Sequence, residues 1–122
     1  MRLLLVENNN DLVESIKLCL KIADPRWEVI VKNNGKEALR ELSESNYECL
    51  LVGSRLPDMG GLRLIKQLRI FSRMPAIIVN ASSDRQAFAE AILCGADDYI
   101  TKPFHCADLL KSLKHALADV RV

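Results

Sequence analysis

Several things are missing from this chain, and each absence narrows what it can be. No apolar run approaches the roughly 18 residues a membrane span needs. Leu3 to Val6 is too short for the apolar stretch of a secretory signal and runs straight into Glu7-Asn8-Asn9-Asn10. Charge of one sign is not in excess: 17 basic residues face 16 acidic ones, a formal net charge of +1. That leaves no general electrostatic drive toward nucleic acid or an acidic membrane surface, so partner choice must rest on local features. The four cysteines, Cys19, Cys49, Cys94 and Cys106, form no close pair and have no histidine cluster beside them, which excludes a structural zinc motif. They read as reduced thiols of a soluble, cytoplasmic protein, with Cys49 as core filler and Cys94 and Cys106 partly exposed at helix ends. No neighbouring group suggests a lowered thiol pKa, so no redox role is expected. Linkers, repeats and low-complexity tracts are also absent.

What remains is one compact domain spanning residues 1–122, with 49% apolar and 27% charged residues. Five short apolar runs are strand candidates: Leu3 to Val6, Trp27 to Val31, Cys49 to Val52, Ala76 to Val79, and Tyr99 to Ile100. Helical spacing fills the intervals, as in Leu12, Ile16, Leu20 and in Leu62, Ile65, Leu68. The pattern is a strand and a helix repeated five times, an α/β fold. Three of the runs are continuously apolar, as strands covered on both faces should be, which predicts a parallel sheet with those strands at its centre. Charge within Trp27 to Lys32 marks an edge. Punctuation agrees: Asp24-Pro25 follows the first helix, Asn34-Gly35 precedes the second, Pro57 follows the third strand, and Gly95 ends the fourth helix. In such a sheet, ligands gather outside the carboxyl ends of the strands. Here those ends are Glu7-Asn8, Gly53-Ser54-Arg55, Asn80-Ala81 and Thr101-Lys102.

Three ordered motifs at these ends resemble one family. Leu3-Leu4-Leu5-Val6-Glu7-Asn8-Asn9 looks like an apolar strand closing on an acidic pair, and Leu56-Pro57-Asp58-Met59-Gly60-Gly61-Leu62 looks like the segment after a phosphorylated aspartate. Gly95-Ala96-Asp97-Asp98-Tyr99-Ile100-Thr101-Lys102-Pro103-Phe104 is the strongest match. Together they resemble the receiver domain of two-component response regulators along the whole chain. The resemblance implies a flavodoxin-like, doubly wound (βα)5 fold with strand order 2-1-3-4-5. It also implies phosphoryl transfer to an aspartate, with magnesium offsetting the crowded negative charge.

The residues that would do this are largely missing. Pro57 and Gly61 fix the register and place Gly53, which has no nucleophile, at the acceptor position. Asn8 stands where the resemblance implies the second acid and magnesium ligand, and Arg55 where a backbone carbonyl completes the metal site. Glu7 is the one carboxylate left. Asn80 replaces the threonine or serine that would hydrogen-bond the phosphoryl group, and Lys102 matches the lysine that pairs with it. Magnesium binding is therefore expected to be weak or absent. Glu7 is expected to pair with Lys102, since an unpaired, partly buried charge is costly. Arg55 is a second candidate to fill the space beside Gly53.

Tyr99 matches the aromatic whose rotamer reports phosphorylation in the family, and bulky Asn80 should hold it in one position. The resemblance places the output face on the fourth helix, fifth strand and fifth helix, roughly residues 83–117. Phe88, Ile92, Leu93, Leu109, Leu110 and Leu113 read as core stripes there. Asp97, Asp98, Lys111 and Lys114 could pair across a dimer. Ser112 stands where the DNA-binding subfamily has its dimer-helix arginine, which leaves at most a weak homodimer. His105 and His115 are expected on the surface. The leading reading is a pseudo-receiver: a protein-interaction module set without phosphorylation, not an enzyme and not itself a nucleic-acid or membrane binder. The alternatives are the regulatory front end of a longer DNA-binding response regulator and a phosphoacceptor using Ser54 or Asp58. Flavin binding ranks last, because no phosphate-cradling loop follows the first strand.

Overall fold

The computed structural model of the chain describes residues 1–80 and 85–119. Strands and helices alternate from end to end: β1 (Arg2–Val6), α1 (Asn10–Ala23), β2 (Glu28–Lys32), α2 (Gly35–Glu44), β3 (Cys49–Gly53), α3 (Gly61–Phe71), β4 (Ala76–Asn80), α4 (Arg85–Leu93), β5 (Asp98–Thr101) and α5 (Cys106–Asp119). The strands form one parallel sheet in the order β2-β1-β3-β4-β5. This is the expected topology, with the three continuously apolar strands at the centre.

Alternate residues of those strands face two separate cores. Leu3, Leu5, Cys49, Leu51, Ile77 and Val79 pack with Ile16 and Leu20 of α1 and Leu109 and Leu113 of α5. Leu4, Val6, Leu50, Val52, Ala76 and Ile78 pack with Ala38 of α2, Leu64, Ile65 and Leu68 of α3, and Ala91 of α4. Each fully buried leucine stabilises the fold by about 2 kcal/mol relative to an exposed one. Covering both faces leaves only the strand ends for polar chemistry.

Local signals set the helix starts. Asn9 caps α1, its side-chain oxygen accepting from the Asp11 and Leu12 N–H groups at 3.0 and 3.2 Å. Asn34 caps α2 through the Glu37 N–H. Gly95 turns the chain out of α4 with φ of +101°, a conformation suited to glycine. Trp27 does not open β2 as expected. It is buried in the turn before the strand, where its backbone N–H donates to the Asp24 carbonyl.

Two expectations are corrected. Cys19 and Cys106 are not free thiols: they form a disulfide that closes a sequence separation of 87 residues and joins α1 to the first residue of α5. Distance in sequence hid a pair that the packing of the first helix on the last brings together. Cys49 is buried and free, as expected, and Cys94 is free and half-buried. The second correction concerns α4. Phe88, Ile92 and Leu93 are not core residues but are 48%, 43% and 86% exposed. A helix of nine residues that rests on the sheet through Ala91 has one small contact strip, so its larger apolar side chains point outward. Leu109 and Leu113 are buried as expected. Positions 81–84, which include part of the expected strand end and of the output face, lie outside the described residues. Among the described residues no helix is long and apolar enough to cross a membrane.

Candidate functional site

Carboxyl ends of β1, β3, β4 and β5 converge on a hollow of about 300 Å³ lined by Glu7, Asn8, Ser54, Arg55, Asn80 and Lys102. The residues singled out in the sequence are therefore brought together, with Gly53 beneath them at the end of β3.

Glu7 directly follows β1 and is only 6% exposed. Its Oε2 accepts from the backbone N–H groups of Asn8 at 3.1 Å and Asn9 at 3.0 Å, so the turn into α1 holds the carboxylate. Its Oε1 lies 3.9 Å from Lys102 Nζ, the ion pair expected from the sequence, although that distance is beyond a good hydrogen bond. The same oxygen covers Gly53. A Cβ built on Gly53 would overlap Glu7 Oε1 and come within 3.1 Å of its Cδ. Glu7 thus occupies the space into which an aspartate side chain at position 53 would grow. Gly61 seals the other side: a Cβ there would overlap the Gly53 carbonyl oxygen, and the Gly61 N–H donates to the Ser54 carbonyl at 3.0 Å.

Asn80 links this pocket to the fifth strand. Its Oδ1 accepts from Ser54 Oγ at 2.7 Å, and its Nδ2 donates to the Tyr99 hydroxyl at 2.7 Å. The Tyr99 ring also meets Phe88 of α4 edge-on, with centroids 5.8 Å apart and planes at 84°. Lys102 is anchored through its backbone N–H, which donates to the Asn80 carbonyl at 2.7 Å. Arg55 does not fill the space beside Gly53. It is exposed, pairs through its backbone with Gly60, and its guanidinium makes no hydrogen bond or ion pair among the described residues.

Two partnerships were not visible in the sequence. Ser54 has no motif that announces it as the donor to Asn80. Asp58 serves the neighbouring helix, its two carboxylate oxygens accepting from the Gly35 N–H at 2.7 Å and the Lys36 N–H at 2.9 Å. These two backbone donors hold its carboxyl below the usual range, as an anion at a helix N-terminus should be. The Asn34-Gly35 signal located that helix start, but nothing in the sequence linked it to a residue 22 or 23 positions away.

On the output side, acids considered for a dimer are used within the chain. Asp97 binds the Arg69 guanidinium and the Ala76 N–H, while Asp98 accepts from the Tyr99 N–H and the Ser112 hydroxyl. Ser112 is buried, so it ties α5 to β5 rather than presenting a contact. His105 and His115 are exposed, as expected.

The donor set at the hollow does not fit magnesium. That ion needs hard oxygen ligands in near-octahedral order, commonly from one or two carboxylates and waters. Here the one carboxylate already faces two backbone N–H groups and an ammonium group. Among the described residues, no three His, Cys, Asp or Glu side chains come together as a metal cluster.

Comparison with known proteins places this geometry. Residues 3–114 match the family model described as the response regulator receiver domain. The regulatory protein VanRB of Enterococcus faecalis is 32% identical over 117 residues, covering 96% of this chain and 52% of that protein. The chain thus spans about half the length of this relative. Among solved structures, a CheY-like receiver domain protein from Methanospirillum hungatei superposes with a TM-score of 0.87 at 26% identity, covering 98% of this chain and 95% of the other. The receiver domain of the sensor histidine kinase PA1611 from Pseudomonas aeruginosa, which carries magnesium in its active-site cleft, gives 0.86 at 26% identity, with 96% and 97% covered. With the family model covering nearly the whole chain, this protein belongs to the response regulator receiver domain family of two-component signalling.

Proposed function

We propose that this chain is a receiver set permanently in one state, a pseudo-receiver that works in the cytoplasm as a protein-interaction module without phosphorylation. One observation carries the reading: the Glu7 carboxylate sits over Gly53, in the space an acceptor side chain would need. A phosphoryl group would find no nucleophile there and would meet an anion. Lys102, the cation lining the hollow, already faces that anion at 3.9 Å. Magnesium uptake is accordingly weak or absent at millimolar concentration, since one engaged carboxylate cannot replace an acidic cluster.

Output then depends on a fixed face. Asn80 holds the Tyr99 hydroxyl, and Phe88 flanks the ring, so α4 and β5 are linked to the pocket in one arrangement. The exposed Phe88, Ile92 and Leu93 offer a protein partner apolar contact on that side. Neither direct nucleic-acid contact nor catalysis is assigned to this domain, and a homodimer would be weak. A second reading is compatible: the domain is the regulatory front half of a longer DNA-binding regulator, which is favoured by curated relatives of about twice its length. A phosphoacceptor elsewhere is disfavoured, because Asp58 is occupied by α2 and the Ser54 hydroxyl donates to Asn80.

The test is acetyl phosphate labelling with magnesium, read by intact mass. The native chain should gain no phosphoryl group, and Gly53→Asp alone should gain little. Adding Asn8→Asp should give the larger increase and Asn80→Thr the smaller, because metal charge outweighs one neutral hydrogen bond that asparagine can partly supply. Magnesium-dependent labelling of the native chain, saturating near one phosphate, would overturn the proposal.

A further inference from the structure

The Cys19–Cys106 pair lies outside the pocket and takes no part in the reading above. Cys19 belongs to α1 and is 8% exposed, whereas Cys106 is the exposed first residue of α5. Their Cα atoms are 5.7 Å apart, within the range a disulfide spans without moving the backbone. The helices that carry them meet through buried side chains of one core, Ile16 and Leu20 against Leu109 and Leu113, and that packing does not depend on the bond. The two sulfurs would therefore stay close when reduced. The other two thiols differ. Cys49 is fully buried, and burial pushes its thiol up to about 12, so it is inert. Cys94 has no cysteine partner among the described residues.

Cys106 also closes a short connection. β5 ends at Thr101, and residues 102–105 lead directly to it. Lys102 opens that connection and faces Glu7. With the bond in place, the far end of the turn is fixed to α1. Without it, the turn is held at that end by the His105 N–H donating to Asp108 Oδ2 and by packing of Phe104.

We propose that Cys19 and Cys106 form a reversible dithiol–disulfide switch that sets how firmly the turn carrying Lys102 is held. Oxidation uses a low-molecular-weight disulfide of the glutathione class. The Cys106 thiolate attacks one sulfur of that disulfide, forming a mixed disulfide and releasing one thiolate. The Cys19 thiolate then attacks the Cys106 sulfur and releases the second. The two protein thiols lose two electrons and two protons, and the reagent is reduced to two thiols. A dithiol reverses both steps. Intracellular disulfides of this kind are commonly transient and redox-sensing rather than structural.

The experiment equilibrates the native chain in buffers of varied glutathione to glutathione disulfide ratio, traps free thiols with a maleimide under denaturing conditions, and counts them by intact mass. Two thiols should disappear together and return with dithiothreitol. The Cys49→Ser/Cys94→Ser double variant should titrate identically, and Cys106→Ser should lose the transition. In the reduced chain, amide exchange over residues 102–108 should rise by about tenfold or more while that of β3 stays unchanged. Failure of the bridge to form in glutathione disulfide, failure of dithiothreitol to open it in the folded chain, or equal exchange over 102–108 in both states would overturn the proposal. None of these results depends on whether the pocket accepts phosphate.

Discussion

Two cation–carboxylate pairs stand at opposite ends of the same sheet. At the amino end, Arg69 of α3 donates to Asp97 Oδ2 at 3.1 Å, to the Gly95 carbonyl at 2.9 Å, and to the Ser72 and Met74 carbonyls at 3.2 and 2.7 Å. Asp97 in turn accepts the Ala76 N–H at 2.8 Å, so one planar guanidinium fastens α3 to the entries of β4 and β5. At the carboxyl end, Lys102 faces Glu7 across 3.9 Å with no side-chain hydrogen bond. Both acids also accept backbone N–H groups, yet only the first pair is geometrically locked. The contrast separates a pair fixed by several hydrogen bonds from a looser one at the pocket, where the carboxylate lies over a glycine.

Breaking the locked pair should have the largest effect. Arg69→Ala strands the Gly95 and Met74 carbonyls and leaves Asp97 without its cation, which should cost about 3 kcal/mol. Urea unfolding should show a lower midpoint with an unchanged slope. Arg69→Lys should recover only a minor part, because a point charge cannot reach acceptors on several sides at once. A loss as small as that of an exposed ion pair would mean that the two ends do not differ in kind.

Gly53→Asp sharpens the contrast from the other side. The new side chain must displace the Glu7 carboxylate, which bends away more readily than backbone would, and the result is two enclosed carboxylates in contact. A destabilisation of about 1–2 kcal/mol near neutral pH is expected. One carboxyl of such a pair has a raised folded-state pKa, so stability falls as pH rises from the ordinary carboxylate range through that value. The deficit relative to the native chain should therefore shrink from about pH 7 to about pH 5. A deficit independent of pH would assign the cost to shape rather than charge.

How much of this could be read in advance follows from the range over which each signal acts. Apolar runs such as Leu3–Val6 and Cys49–Val52 marked central strands because burial on both faces is written into consecutive residues. The pocket was legible because Pro57, Gly61 and the Lys102-Pro103 ending fix positions relative to strand ends. The Cys19–Cys106 bond was not, since it depends on α1 packing beside α5, and no local spacing records that. Phe88, Ile92 and Leu93 misled for a related reason: helical periodicity shows that an apolar face exists but not whether a neighbour covers it. Glu7 was assigned its correct partner, while its position over Gly53 emerged only from the path of β1 against β3.

The smallest effect concerns the loose pair itself, and a double-mutant cycle with Lys102→Met and Glu7→Gln measures it directly. Glu7 is buried but keeps the Asn8 and Asn9 N–H donors when the lysine is removed, so its carboxylate is not stranded. Lys102 keeps 32% of its side chain in contact with solvent, so the pair is partly screened. At 3.9 Å, with one partner partly solvated, the coupling should be about 0.5–1 kcal/mol and should weaken as salt is raised. A coupling near that expected for Arg69 with Asp97 would show that the pocket pair is a true fastening. A coupling of zero would remove Lys102 from the account of what holds Glu7 over Gly53 and leave the two backbone donors of the α1 turn to do so alone.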